Sequence, residues 1–293
     1  MSDILSGLES MGLGNLSNIE LFKDKKQEKA EEERKKAEKA AAEAAAKVLE
    51  EKDLVYLKNI ECPCCGQEFK EKTIRPGKAR MIAQDMDLRP RYKEVDTMKY
   101  NITACPICGY AALSRDFTHL SPTQARLVKE KISMNFTGLK YEGETYSYDE
   151  AIARNKLALV GTVVKRGKVS ERAYICLTLG WLTRGKAESI AEDVPGRDIM
   201  VKKLAEEENE YLLKAAEGFT ESLLKENFPI CGLDEYTFFY LLSALDYETG
   251  RYNDALKFVE KILINRAVSD RIKDKARRIK EAIGEIKATE NKQ

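Results

Sequence analysis

Cys62-Pro63-Cys64-Cys65-Gly66 and Cys105-Pro106-Ile107-Cys108-Gly109 spell the same CPxCG knuckle twice, and that repetition decides how the rest of the chain is read. Within each knuckle two intervening residues let both sulfurs face one metal. Proline stiffens the turn, and glycine supplies the positive φ from which backbone N–H groups point at sulfur. Cys62, Cys65, Cys105 and Cys108 therefore form the ligand set of one closed, tetrahedral, structural Zn2+ site. A disulfide framework and a thioredoxin-like redox pair are the competing readings; neither predicts two equivalent copies, and nothing marks an oxidising compartment. Cys64, inside the first knuckle, is either a spare small residue or an alternate metal ligand that exchanges with a neighbour. Cys176 and Cys231 stand in apolar helical contexts and read as buried packing residues.

Outward from the knuckles, Val55-Tyr56-Leu57 and Ile60 lead into the first, Phe69 to Ile74 leads away, and Met98 to Thr103 leads into the second. Strands flanking two knuckles describe a zinc ribbon over residues 54–119, a fold too small to hold without its metal. The knuckles are further apart than a minimal ribbon needs, so residues 75–97 are an insertion. Its cations Arg75, Lys78, Arg80, Arg89, Arg91 and Lys93 outnumber Asp85 and Asp87. They are read as solvated charge or internal ion pairs, with a nucleic-acid surface as the alternative.

Past the ribbon the sequence is punctuated for helices. Ser121-Pro122-Thr123-Gln124 and Ser147-Tyr148-Asp149-Glu150 are capping boxes ahead of amphipathic runs at 122–134 and 148–166. Ser170, Asp234 and Asn253 are further start signals, and Gly167, Gly185 and Gly250 stand where helices are expected to end. Phe239, Leu242, Tyr247, Gly250, Tyr252, Ala255 and Ile262 occupy the large, small and turn positions of a tetratricopeptide repeat. Tyr174, Leu177, Trp181 and Gly185 suggest a degenerate earlier copy whose second helix is displaced to 204–225 by the loop 186–198. The expected fold is mainly α: a small β zinc ribbon, then a tetratricopeptide-like helical domain over 120–288, then a tail at 289–293. Tyr174, Trp181, Tyr236, Phe239 and Tyr240 are the candidates for partner contact in a helical groove, or else they form the inter-helix core.

Residues 1–22 carry Ile4, Leu5, Leu8, Met11, Leu13, Leu16, Ile19, Leu21 and Phe22. Such a segment docks on a partner, packs on its own chain or stays as a tail. Residues 23–53 then place ten Lys or Arg among ten Asp or Glu with alanine between them. Pairs such as Glu31 with Lys35 favour a long, solvated single helix of about 45 Å, with a weak dimeric coil as the alternative. Across 293 residues, 34% are charged yet the formal net charge is only +1, so nucleic acid or anionic membrane is attracted only by a local patch. The uncharged apolar stretch Leu157 to Val164 is too short to span a bilayer, and the start lacks a signal-peptide pattern. Metal-type cysteines make the cytoplasm the expected location.

The order CPxCG, a basic and Asp-rich insertion (Arg75, Arg80, Asp85, Asp87, Tyr92), Cys105 to Ala111 as CPxCGYA, the pair Asp116-Phe117 and then tetratricopeptide-like helices resembles a bacterial family known as domain of unknown function 2225. The likeness runs over roughly residues 54 to 266; Cys64 departs from the usual aliphatic at its position. The resemblance implies this architecture and carries no activity. Four cysteines close a metal's shell, and the sole histidine, His119, has no nucleophile motif beside it, so no enzyme is expected. The expected function is a non-catalytic scaffold that binds a protein or peptide partner.

Overall fold

The computed structural model describes residues 49–139 and 143–290. The expectations for residues 1–22, and for all but the last few residues of 23–53, lie outside them. A short helix α1 (Glu51–Leu54) leads into strand β1 (Val55–Glu61), which pairs antiparallel with β2 (Glu68–Ile74) in a register that sets Ile60 opposite Phe69. A second hairpin joins β3 (Met81–Gln84) to β4 (Pro90–Tyr92). After a 3-10 turn at Thr97–Tyr100, a third hairpin joins β5 (Ile102–Ala104) to β6 (Ala111–Leu113).

Isolated two-stranded hairpins are marginal in water. Here they borrow a core from the helices. All six residues of β5 and β6 are buried, packed on α3 (Tyr148–Val164) and α4 (Val169–Glu188) through Ile102, Ala104, Ala111, Ala158, Ile175 and Leu179. The approach is close enough that a Cβ on Gly161 of α3 would stand 3.2 Å from the Ala111 carbonyl oxygen.

The body continues with α5 (Arg197–Lys225), α6 (Glu235–Glu248), α7 (Tyr252–Ile264) and α8 (Asp270–Glu290), while α2 (Pro122–Lys131) covers the cysteine-bearing hairpins. One core joins α4, α5 and α6 around Trp181, Phe219, Phe238 and Leu242. Another joins α6, α7 and α8 around Phe239, Val259, Ile262 and Ile279. Both capping boxes form as read, with Ser121 and Ser147 accepting from Gln124 and Glu150 backbone N–H groups.

Three expectations about helix ends are corrected. Ser170 lies one residue inside α4, and its N–H and hydroxyl both donate to the Glu226 carboxylate, at 2.9 and 2.6 Å; a residue distant in sequence caps this helix. Asn253 likewise lies inside α7. Gly185 ends nothing: α4 runs through it, and a Cβ there would meet the Tyr148 ring at 2.6 Å and the Arg89 guanidinium at 2.7 Å. Glycine marks a close approach at that position. Gly250, at φ 75°, does end α6 as expected.

Candidate metal centre

Each knuckle is the turn of a hairpin, Cys62 to Gln67 between β1 and β2 and Cys105 to Tyr110 between β5 and β6. The two turns repeat each other. Gly66 and Gly109 donate to the carbonyls of Cys62 and Cys105 at 2.8 and 3.1 Å, and both adopt φ 73°, the left-handed region the sequence called for. Backbone N–H groups of Cys64 and Cys65 approach the Cys62 sulfur, and those of Ile107 and Cys108 approach Cys105.

Folding brings the four sulfurs of Cys62, Cys65, Cys105 and Cys108 within 4.8 Å of one another. Cys62 to Cys108 is 3.6 Å and Cys65 to Cys105 is 3.8 Å. A tetrahedron of zinc–sulfur bonds of ~2.3 Å has edges of about 3.8 Å, so donor type and spacing both fit a four-thiolate site. Crowding raises the Cys62 thiol to about 12 through its hydrogen bond with Cys105, while the bond from Cys108 holds Cys105 at about 2. Cys62 and Cys108 then keep their protons while Cys105 is the thiolate among them; a bound cation would displace the remaining protons.

Cys64 packs beside the cluster and is not among its four close sulfurs. Its thiol donates to the Ala125 carbonyl at 3.8 Å, and burial pushes it up against the opposing hydrogen bond with Cys108. Cys176 is buried, and Cys231 is half-buried with its thiol on the Ser170 carbonyl at 3.4 Å. Around the cluster pack Phe69, Tyr110, Phe117, Val128 and Ile132, and Ser133 donates to the Cys108 carbonyl at 2.7 Å. Helix α2 and the turn after it therefore shield the second knuckle.

The insertion is built largely from internal ion pairs. Arg89 is only 2% exposed, bridging Asp96 and Glu188 at 3.0 and 3.2 Å. Arg91 grips Asp85 and Glu188, both at 2.7 Å by its NH2 nitrogen. Arg184 of α4 collects Asp85, Asp87, Glu208 and Glu248, and Trp181 donates its indole N–H to Asp87 at 2.8 Å. Arg89 and Arg91 are thus committed to holding the β3–β4 hairpin on the helices, and the nucleic-acid alternative keeps only Arg75, Lys78, Arg80 and Lys93 as exposed cations.

The aromatic groove is also corrected. Trp181, Phe239 and Tyr240 are 4%, 7% and 2% exposed and pack into the inter-helix cores rather than along an open groove, Trp181 also forming part of a cavity wall; Tyr174 and Tyr236 are half-buried. Tyr236 stacks edge-on to Phe239 at 6.0 Å, and Tyr174 to Trp181 at 6.4 Å.

One site escaped the sequence reading. Glu71 of β2, nearly buried, accepts from Arg154 of α3 at 2.5 Å, from the Tyr146 hydroxyl at 2.6 Å and from the Ala104 N–H at 3.2 Å. Arg154 also reaches the Ile102 carbonyl at 2.7 Å. This lock ties both cysteine-bearing hairpins to the helical body. Its signal was present: Arg154 falls on the same helix face as Ala151 and Ala158, where a charge needs a buried partner.

A buried cluster of four cysteines at the tips of two antiparallel hairpins, packed against a helical body, defines a class of protein with a candidate metal centre. The chain belongs to the family described as uncharacterized proteins conserved in bacteria, DUF2225, whose model matches residues 55–283. An uncharacterized protein of Borreliella burgdorferi (strain ATCC 35210 / DSM 4680 / CIP 102532 / B31) is 29% identical over 82 residues; the match spans 25% of this chain and 29% of that protein. No solved structure matches.

Proposed function

We propose that Cys62, Cys65, Cys105 and Cys108 hold one structural Zn2+, and that the chain is a non-catalytic adaptor of the zinc-ribbon type whose tetratricopeptide-like helices bind a protein partner. The sulfur tetrahedron carries the metal assignment. Four thiolates leave no open position for substrate, which supports a clamp rather than a catalyst. Held by the Glu71–Arg154 lock, the clamp fixes the hairpins on the body. All seven cysteines of the described structure are free thiols, in keeping with a reducing cytoplasm, and no described helix is long and apolar enough to cross a membrane.

For the partner, the supporting feature is a groove of about 850 Å3 between α5 and α7. Leu224 and Ile264 border it at 86% and 76% exposure, over Phe258. Five acidic side chains line it against three basic ones. Two bare aliphatics flanked by an acidic excess suit an amphipathic helix with an apolar stripe and basic edges. Capture of such a peptide, lost on Leu224→Asp and Ile264→Asp with zinc content unchanged, is the expected result. Unaltered capture by both variants would refute the groove, and zinc-free protein with an unchanged melting temperature would refute the clamp.

A further inference from the structure

Helix α8 places Arg271, Lys275 and Arg278 four and then three residues apart, on one face. Like charges in that arrangement repel. Among the described residues none of the three forms a salt bridge; Lys275, half-buried, donates to the Gln84 side-chain oxygen Oε1 at 2.9 Å and lies over the Tyr240 ring at 5.2 Å. Burial and the adjacent Arg271 and Arg278 hold its ammonium below the usual lysine range. An uncompensated cation in a half-buried position is costly for the folded chain and calls for an anion.

Arg271 and Lys275 stand at a cavity of about 520 Å3 enclosed by the β3–β4 hairpin, α4, α6 and α8. Leu88, Leu177, Trp181, Leu241 and Ile272 line it, and no aspartate or glutamate does. This size and a mostly apolar lining with a few convergent polar groups are those of small-molecule sites. Four carboxylates, those of Asp85, Asp87, Glu208 and Glu248, gather close by around Arg184 and are engaged there by its guanidinium and, at Asp87, by the Trp181 indole N–H.

We propose that this cavity binds a small anionic amphiphile, its carboxylate or phosphate head held by Arg271 and Lys275 and its apolar body laid against Leu88, Leu177, Trp181 and Leu241. The guanidinium offers a two-pronged grip on either oxyanion and the ammonium a point charge. Apolar contact supplies the affinity and the cations supply the selection.

Trp181 is the sole tryptophan of the chain, so the tryptophan emission comes from a residue that lines this cavity. The full-length, zinc-loaded protein is titrated with decanoate, decyl phosphate, decanol and decyltrimethylammonium, each below its micelle-forming concentration. Decanoate or decyl phosphate should shift the emission saturably, and which of them binds tighter tells carboxylate from phosphate. Decanol should bind at least about tenfold more weakly, and the ammonium compound should not saturate. Arg271→Glu and Lys275→Glu should each weaken the anion about tenfold or more, with Lys275→Arg within about threefold of the parent. Decanol binding as tightly as decanoate, or no saturable shift with either anion, overturns the proposal on the unaltered chain. Charge reversals that fold normally by circular dichroism and bind unchanged overturn it as well.

Discussion

Glu71→Ala removes the carboxylate on which Arg154, the Tyr146 hydroxyl and the Ala104 N–H converge. Arg154 is 1% exposed, so its charge stays in the interior with one strong partner gone. Breaking a buried pair from one side costs roughly 3–5 kcal/mol. The Ile102 carbonyl at 2.7 Å and the Tyr146 ring at 4.3 Å remain for the guanidinium, which favours the lower end, about 3 kcal/mol. For a body of this size that corresponds to a fall in melting temperature of about 6–12 °C. Urea unfolding of Glu71→Ala reads this loss, and Glu71→Leu, Arg154→Met and the double variant Glu71→Leu/Arg154→Met close a cycle that measures the coupling. The double variant, free of any orphaned charge, should recover to within about 1 kcal/mol of the parent. A single-variant loss under about 1 kcal/mol, or losses that add in the double, would refute the lock.

Metal analysis should find about one zinc per chain, and X-ray absorption a shell of sulfur alone at ~2.3 Å; Cys105→Ser loses the metal and lowers the melting temperature, while Cys64→Ser keeps both. A nitrogen or oxygen scatterer in that shell counts against the site. Gly185→Ala forces a methyl against Tyr148 and Arg89 and should cost about 1–3 kcal/mol despite alanine's better helix propensity, as read by chemical denaturation. Burial, followed by the charge of Asp87, pushes the Glu248 carboxyl up to about 8, against an ordinary 4.5. The folded chain then keeps a proton that the unfolded chain has released, so this group's share of stability declines as pH rises through that interval. Glu248→Gln should flatten the decline in a pH series of melting curves, and an unchanged slope would sink the assignment.

The knuckles were legible in the sequence because everything that shapes them is local: two cysteines, a proline and a glycine within five residues set the turn, and Gly66 and Gly109 reach the same φ for the same steric reason. The capping boxes at Ser121 and Ser147 were legible on the same ground. Cys64 was ambiguous by spacing alone; its contact with the Ala125 carbonyl, distant along the chain, had no local signal.

What the sequence by itself determined is the two cysteine knuckles, the strand–helix order and the helical majority, since periodicity and spacing act over a few residues. Only tertiary structure decided the fate of the charges and aromatics. Arg89 and Arg91 read as a basic surface until Asp96 and Glu188 arrive beside them, and Trp181 reads as a groove residue until Asp87 takes its N–H in the interior. A charged or aromatic side chain carries no local mark of its partner: what it does depends on which distant residue removes it from water.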